Sequence, residues 1–311
     1  MAVVEIVRRH AGGLSAVALV VTWSSGFVGA ELADRADAAP VTLLEWRFLL
    51  LAGLLVAVSA IRRMPRPTWD AWRRQALLGL LSQAGYLYFV FAGVTRGVPG
   101  GTAALIAALQ PLLVATVAGR LLGERSSPVM WGGMVLGLTG VLVVVSGDLG
   151  AGDAAGAPCW AYLLPSAGML CLATGTVLAR RLRPPEDLLQ TIMMQSVVTA
   201  VVLLVAALAS GEAVPPADRD FWAAVAWLIV LASLGGYVMY VLVTRTQGAT
   251  VVSTLLYLTP PTTMLWVFLM FGEPVTLVGV LGLLVSAVGV LLVLTGRRTL
   301  ARAPAAGLIP R

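Results

Sequence analysis

The sequence predicts an all-α integral membrane protein of ten transmembrane helices, built as two inverted-topology repeats of five. Three observations carry that expectation. Apolar residues make up 59% of the 311 and charged residues only 12%, against roughly 45–50% and 25% in soluble domains, and mean hydropathy is +0.92. The apolar residues fall into ten runs, each near the ~20 residues that a bilayer requires. The second half of the chain also repeats the first at a constant offset.

In order, the runs lie at about 12–33, 41–61, 75–95, 99–121, 129–147, 157–179, 187–210, 221–244, 247–271 and 276–296. The first is long enough to span and carries no evident small-residue cleavage site, so it is expected to be a membrane helix and not a cleaved signal. The connections are short, leaving no room for a soluble catalytic or nucleotide-binding domain. The chain therefore divides into a first five-helix unit at 12–147, a second at 157–296 and a basic tail at 297–311.

Charge orients the runs. All 21 basic residues are Arg and the net charge is +6. They sit in short clusters between apolar runs, a spacing that suits membrane topology and not a phosphate-binding face, so no nucleic-acid partner is expected. With the N-terminus cytoplasmic, 17 Arg fall on the inner side and 3 (Arg35, Arg96 and Arg219) outside, with Arg47 inside the membrane. The positive-inside rule then makes both termini cytoplasmic. The outer loops ELADRADA and GEAVPPADRD are acidic.

The repeat is read from matched residues. QPLLVATVAGRLLGE (110–124) resembles TPPTTMLWVFLMFGE (259–273), with Pro111 on Pro260 at an offset of 149 residues. The same offset pairs Gly123-Glu124 with Gly272-Glu273, Gly133 with Gly282, Gly140 with Gly289, Gly26 with Gly175, Tyr88 with Tyr237, and Val94-Thr95-Arg96 with Val243-Thr244-Arg245. Two units of five helices in series must enter the membrane from opposite sides. Inverted repeats of this kind are the architecture of alternating-access carriers, with the substrate site near the midplane between the halves.

Thr22-Trp23-Ser24-Ser25-Gly26-Phe27, LLEWRFLLLAGLL in the second run, and the twice-occurring Pro…Gly-Glu pattern ahead of a Gly-rich helix resemble the drug/metabolite transporter superfamily, in its EamA-type ten-helix branch. The resemblance covers about 12–296. It implies a multi-pass bacterial inner-membrane carrier, commonly an exporter of amino acids, other metabolites or toxic compounds. It also implies that helices 1, 3, 4, 6, 8 and 9 surround a central cavity. The branch spans very different solutes, and a nucleotide-sugar or activated-metabolite exchanger is the alternative within it. Such an exchanger would need basic residues for phosphate, and only Arg47 is available in the membrane.

Other function classes lack their residues. There is no GxxxxGK[ST] for ATP-driven transport and no HExxH or GxSxG for an intramembrane hydrolase, so neither an enzyme nor a cofactor is expected. An assembly factor would need a large partner-binding loop. Cys159 and Cys171, twelve residues apart, are expected on one helix about 18 Å from each other, too far for a disulfide. His10, the sole His, lies beside Arg8 and Arg9 and suggests no metal site.

The expected partners are therefore the bilayer and a small solute, and oligomeric state is not legible. Polar and aromatic residues deep in the runs are the cavity candidates, because a polar group in lipid needs a partner or water. They are Trp23, Ser24, Gln83, Tyr86, Gln110, Tyr237 and Tyr257. Pro111 and Pro260 are candidate helix breaks that free backbone carbonyls. In the ninth run, Ser253, Tyr257, Pro260 and Met264 are expected on one helical face, as are Gln83 and Tyr86 in the third. The glycines of runs five and ten form small-xxx-small faces suited either to dimerisation or to close packing within the bundle.

LLEWRFLL (43–50) holds two charges in an apolar run. Helix 2 is expected to run inward, which puts Arg47 roughly 9 Å below the outer surface. Glu45 and Arg47 are two residues apart and point to nearly opposite sides of the helix, so they are not an intrahelical pair. Arg47 is expected to face the bundle as a structural clamp, an outer gate or a binder of an anionic group, with Glu45 the weaker candidate. The offset pairs Glu45 with Met194 and Arg47 with Ser196, so these charges belong to one half only.

Overall fold

The structure, a computed structural model, describes residues 2–110, 113–114, 128–150, 157–247, 252, 255–272 and 275–302. Every element among them is helical: α1 (Ala2–Arg35), α2 (Pro40–Ile61), α3 (Trp69–Gly79), α4 (Tyr86–Val94), α5 (Gly100–Ala107), α6 (Pro128–Gly150), α7 (Leu163–Leu182), α8 (Leu188–Ser210), α9 (Arg219–Trp227), α10 (Gly236–Gln247), α11 (Thr259–Phe271) and α12 (Leu277–Arg302). Two π-helical segments, Leu80–Gly85 and Leu228–Gly235, join α3 to α4 and α9 to α10 into continuous rods. A 3₁₀ turn, Cys159–Tyr162, leads into α7. Six described helical stretches are long and apolar enough to cross a membrane: Gly13–Arg35, Pro40–Ile61, Trp69–Val94, Cys159–Leu182, Leu188–Ser210 and Arg219–Val243. Shorter apolar helices lie at Trp131–Gly147 and Leu277–Leu292. The chain is a multi-pass membrane protein.

The helix ends follow local chemistry. Thr68 caps α3 by accepting from the Ala71 N–H, and Asp187 caps α8 by accepting from the Gln190 N–H at 2.8 Å. Such caps satisfy N–H groups that have no partner within the helix. Pro40 starts α2 in the first turn, where its missing N–H costs nothing. Gly211 and Gly272 close α8 and α11 at φ of 76° and 73°, a left-handed conformation that Gly adopts without strain.

Several boundaries differ from the sequence expectation. α1 begins at Ala2, ahead of the expected start near residue 12, and takes in the Arg-bearing stretch. Cys159 lies in the 3₁₀ turn and not in the helix that carries Cys171; both are free thiols. The ninth run is not one helix. Residues 257–258 form a turn and α11 begins at Thr259, because Pro260 and Pro261 lack the N–H that a continuous helix would need and fit only its first turn. The face drawn through Tyr257, Pro260 and Met264 therefore runs from the turn into α11; Ser253 lies outside the described residues.

The two halves interlock. α1 of the first half packs along Arg219–Gln247 of the second, while α7 of the second packs along Trp69–Val94 of the first. α2 packs on its counterpart α8, and α6 on its counterpart α12. This last contact decides the glycine question. A Cβ on Gly140 would lie 2.5 Å from the Gly282 oxygen, and a Cβ on Gly289 would lie 2.5 Å from the Gly133 oxygen. With the offset of 149, those two contacts are the same contact seen from each helix. The small-residue faces serve close packing inside the bundle.

The interruptions of regular helix also repeat. Shifted by 149, the first π segment maps onto 229–234, inside Leu228–Gly235. The turn at 108–109 maps onto the turn at 257–258. Each π segment ends on a Gly whose Cβ would sit 3.1 Å from the carbonyl oxygen five residues earlier, Leu80 for Gly85 and Val230 for Gly235. A wide turn brings that oxygen inward, and hydrogen is the side chain that fits.

Candidate functional site

Polar side chains along the helix interfaces form three groups. The first centres on Arg47, seven residues into α2 and only 6% exposed. Its Nη2 and Nε donate to the Ser233 hydroxyl at 3.1 and 3.4 Å, while Nη1 is buried without a partner. Ser233 stands in the second π segment, and its hydroxyl donates to the Leu228 carbonyl five residues back at 3.0 Å. Tyr86, the first residue after the first π segment, places its phenol within electrostatic reach of the guanidinium. Arg47 thus lies between the two irregular segments. Glu45 is 1% exposed and its Oε2 is buried without a partner.

The second group is a ladder between the α3–α4 rod and α8. Arg74 and Glu186 form an ion pair at 2.6 Å. Gln75 Nε2 donates to the other Glu186 oxygen at 2.9 Å, and Gln195 Nε2 donates to Gln75 Oε1 at 2.8 Å. Gln83 continues it, donating to Gln195 Oε1 at 3.5 Å and accepting from the Thr199 hydroxyl at 3.4 Å. Burial raises the Glu186 carboxyl pKa, but hydrogen bonds from Arg74, Gln75 and its own backbone, with the Arg74 charge, outweigh it and hold the group below its ordinary value. Gln75 and Thr199 are fully buried, so the ladder satisfies groups that would otherwise be costly.

Gln110 makes the third group, donating to the Thr176 hydroxyl at 2.8 Å across to α7. Thr176 itself donates to the Leu172 carbonyl. Gln110 follows the turn at 108–109; Pro111 lies outside the described residues.

The remaining candidates fall as follows. Trp23 is 39% exposed and stacks on Tyr240 with ring centroids 5.7 Å apart. Ser24 is fully buried and donates to Val20 O at 2.6 Å within its own helix. Tyr237 lies partly buried on α10, and Tyr257 packs against the main core in the turn before α11, whose first turn holds buried Pro260. Gln83 and Tyr86 meet different helices. The intervening wide turn sends Gln83 to α8 and Tyr86 to α2, because a π segment takes more residues per turn than the 3.6 on which the spacing rule rests.

The sequence reading passes over Gln75, Gln195, Thr199 and Ser233. Gln195 carries the same signal as Gln83, an amide inside an apolar run. Ser233 carried none, since its importance arises from the π segment. An open depression of about 320 Å³ lies at the N-terminal end of α2, lined by Asp34, Asp37, Ala38, Ala39, Pro40 and Thr95. No group of His, Cys, Asp and Glu able to hold a metal occurs among the described residues.

The sequence profile of the EamA-like transporter family matches residues 10–146 and again 159–295. The chain belongs to that family of membrane transporters. The two matched stretches are themselves offset by 149 residues at both ends, in agreement with the repeat. Among similar proteins is the inner membrane transporter YedA of Escherichia coli K12, 27% identical over 90% of this chain and 89% of its own. A probable terminal-alkyne amino-acid exporter of Streptantibioticus cattleyicolor is 27% identical over 92% of this chain and 93% of its own. A WAT1-related chloroplastic protein of Arabidopsis thaliana is 25% identical over 86% of this chain and 66% of its own. One solved crystal structure, 20% identical, covers 93% of this chain and 99% of its own with a TM-score of 0.62, a likeness of fold.

Proposed function

We propose that this EamA-family transporter is a secondary carrier of ten membrane helices that exports a small organic solute, such as an amino acid, by alternating access across a bacterial inner membrane. The observation that carries the reading is the paired interruption of helix. π segments at Leu80–Gly85 and Leu228–Gly235, and turns at 108–109 and 257–258, recur at one offset around a polar interior. Discontinuous helices in repeat-related positions are where carriers place their solute sites. Reciprocal packing of α2 on α8 and α6 on α12 supports two equivalent units related by inversion, since each unit has an odd number of helices. The 17-to-3 partition of Arg supports cytoplasmic termini. The exporter named among the similar proteins supports an amino-acid-like solute.

The site of that carrier is the space between the two irregular rods and the first, fourth, sixth and ninth apolar runs, with Trp23, Gln83, Tyr86, Gln110, Tyr237 and Tyr257 as its lining. The test is reconstitution into liposomes with a panel of labelled amino acids and cationic drugs. At least one solute is expected to equilibrate faster than across protein-free liposomes. If none does, the carrier reading fails.

A further inference from the structure

We propose that Arg47 is an anion-binding group of this carrier, and that its occupant is the carboxylate of the transported solute. The proposal rests on the carrier reading above and deepens it. A guanidinium has five N–H donors and a permanent charge. Here it is only 6% exposed, yet its one hydrogen-bond partner among the described residues is a neutral hydroxyl, Ser233 Oγ, and its other neighbour of note is the uncharged Phe48 ring, 5.1 Å from Cζ to the ring centroid. That hydroxyl already spends its proton on the Leu228 carbonyl, so it can offer Arg47 only lone pairs. Nη1 has nothing. Among the described residues the one ion pair is Arg74–Glu186, and no carboxylate forms an ion pair with Arg47.

A buried cation without a counter-charge is among the least favourable states a membrane interior can hold, and such groups mark solute and ion paths. Among the described residues no carboxylate neutralises Arg47. Glu45 lies two positions away on the same helix and its own Oε2 is unpartnered too. The missing partner must be planar, anionic and able to take the two N–H groups on one edge of the fork, which describes a carboxylate. Tyr86 adds a phenol within electrostatic reach on the opposite rod. The depression over the N-terminal end of α2, at Pro40, lies roughly 10 Å along the helix from Arg47.

The position also explains why the charge occurs in one half only. The equivalent residue, Ser196, is neutral, fully buried and unpartnered at its hydroxyl. A clamp required by symmetric packing would recur there. An asymmetric solute with one charged end needs one such group.

The test compares acids with their own amides, using leucine, phenylalanine and 2-oxo-4-methylpentanoate against leucinamide, phenylalaninamide and 2-oxo-4-methylpentanamide. The readout is melting of the purified full chain in detergent at graded ligand concentration. At least one acid is expected to raise the melting temperature, and its amide to require at least about tenfold more for the same shift. Arg47→Gln is expected to remove the acid response and Arg47→Lys to keep part of it. Should Arg47→Gln not fold, the acid–amide comparison on the unaltered protein decides. Ser233→Ala, which leaves the charge, is expected to retain the acid preference. The proposal is overturned if no acid shifts the melt, if amides act as well as acids, or if a folded Arg47→Gln responds normally. It also fails if sodium chloride alone gives the same Arg47-dependent shift, for then the site is one for inorganic anions. Flux of the same acids into liposomes separates the two readings. Binding without flux sinks the carrier and leaves the site, whereas flux undiminished in Arg47→Gln sinks the site and leaves the carrier.

Discussion

Gly289→Ala is expected to loosen the α6–α12 pair. The added Cβ would lie 2.5 Å from Gly133 O and 2.7 Å from Gly137 Cα. An unstrained carbon contact needs roughly 3.5 Å, so the backbones must part by about 1 Å. Both obstacles are main-chain atoms of a facing helix, so no rotamer change can relieve the clash. Overpacking of this kind costs about 1–3 kcal/mol, which corresponds to a fall in melting temperature of roughly 2–10 °C for a chain of this size. Gly140→Ala should cost a similar amount, because its Cβ would meet Gly282 O at 2.5 Å and Ser286 Cα at 2.8 Å. The double variant should cost less than the sum, since one separation accommodates both methyl groups. Gly132→Ala is the control: nothing lies within 4 Å of its Cβ position, and the melt should stay put or rise. Thermal unfolding of purified protein followed by intrinsic fluorescence reads all four. Melting of Gly289→Ala at the unaltered temperature would refute the close-packed α6–α12 contact and with it the reciprocal packing of the two halves.

The Arg74–Glu186 pair gives a pH prediction. The Glu186 pKa is depressed on folding, so its contribution is present above the ordinary carboxylate range and is lost as pH falls through the lowered folded value. Glu186→Gln should flatten that acid limb of melting temperature against pH and cost only about 0.2–1 kcal/mol at neutral pH, given that Arg74 is partly exposed; an unchanged acid limb refutes the pairing. Gln195→Leu should cost more, about 1–3 kcal/mol, because it strands the buried Gln75 Oε1 and the amide of Gln83. Equal stability of the two variants by thermal melting would show the ladder is not coupled through Gln195. Tyr257→Ala is expected to raise the apparent KM of transport by several-fold without reducing the amount of folded protein in the membrane; unchanged transport removes Tyr257 from the site.

Composition and patterning determined much of this protein. An apolar run near 20 residues has one low-energy solution in lipid, a helix with every backbone group paired internally, so long hydrophobic helices were legible without coordinates. The offset of 149 residues was legible too, because Gly and Pro at fixed positions survive as punctuation of the backbone. Arg47 stood out because a charge in an apolar run is expensive wherever it points. What the sequence could not supply was which helix each polar group meets. The rule of 3.6 residues per turn put Gln83 and Tyr86 on one face, and the π segment between them sent one to Gln195 and the other toward Arg47. It ran a single face through Tyr257 and Pro260, where two prolines start a new helix. It left the glycine stripes undecided between a second copy and the bundle, a choice made by α12 lying across α6 with Gly140 against Gly282 and Gly289 against Gly133. Periodicity is a property of one helix. Partners are a property of how helices cross, and that is fixed only when the two interlocked halves close on each other.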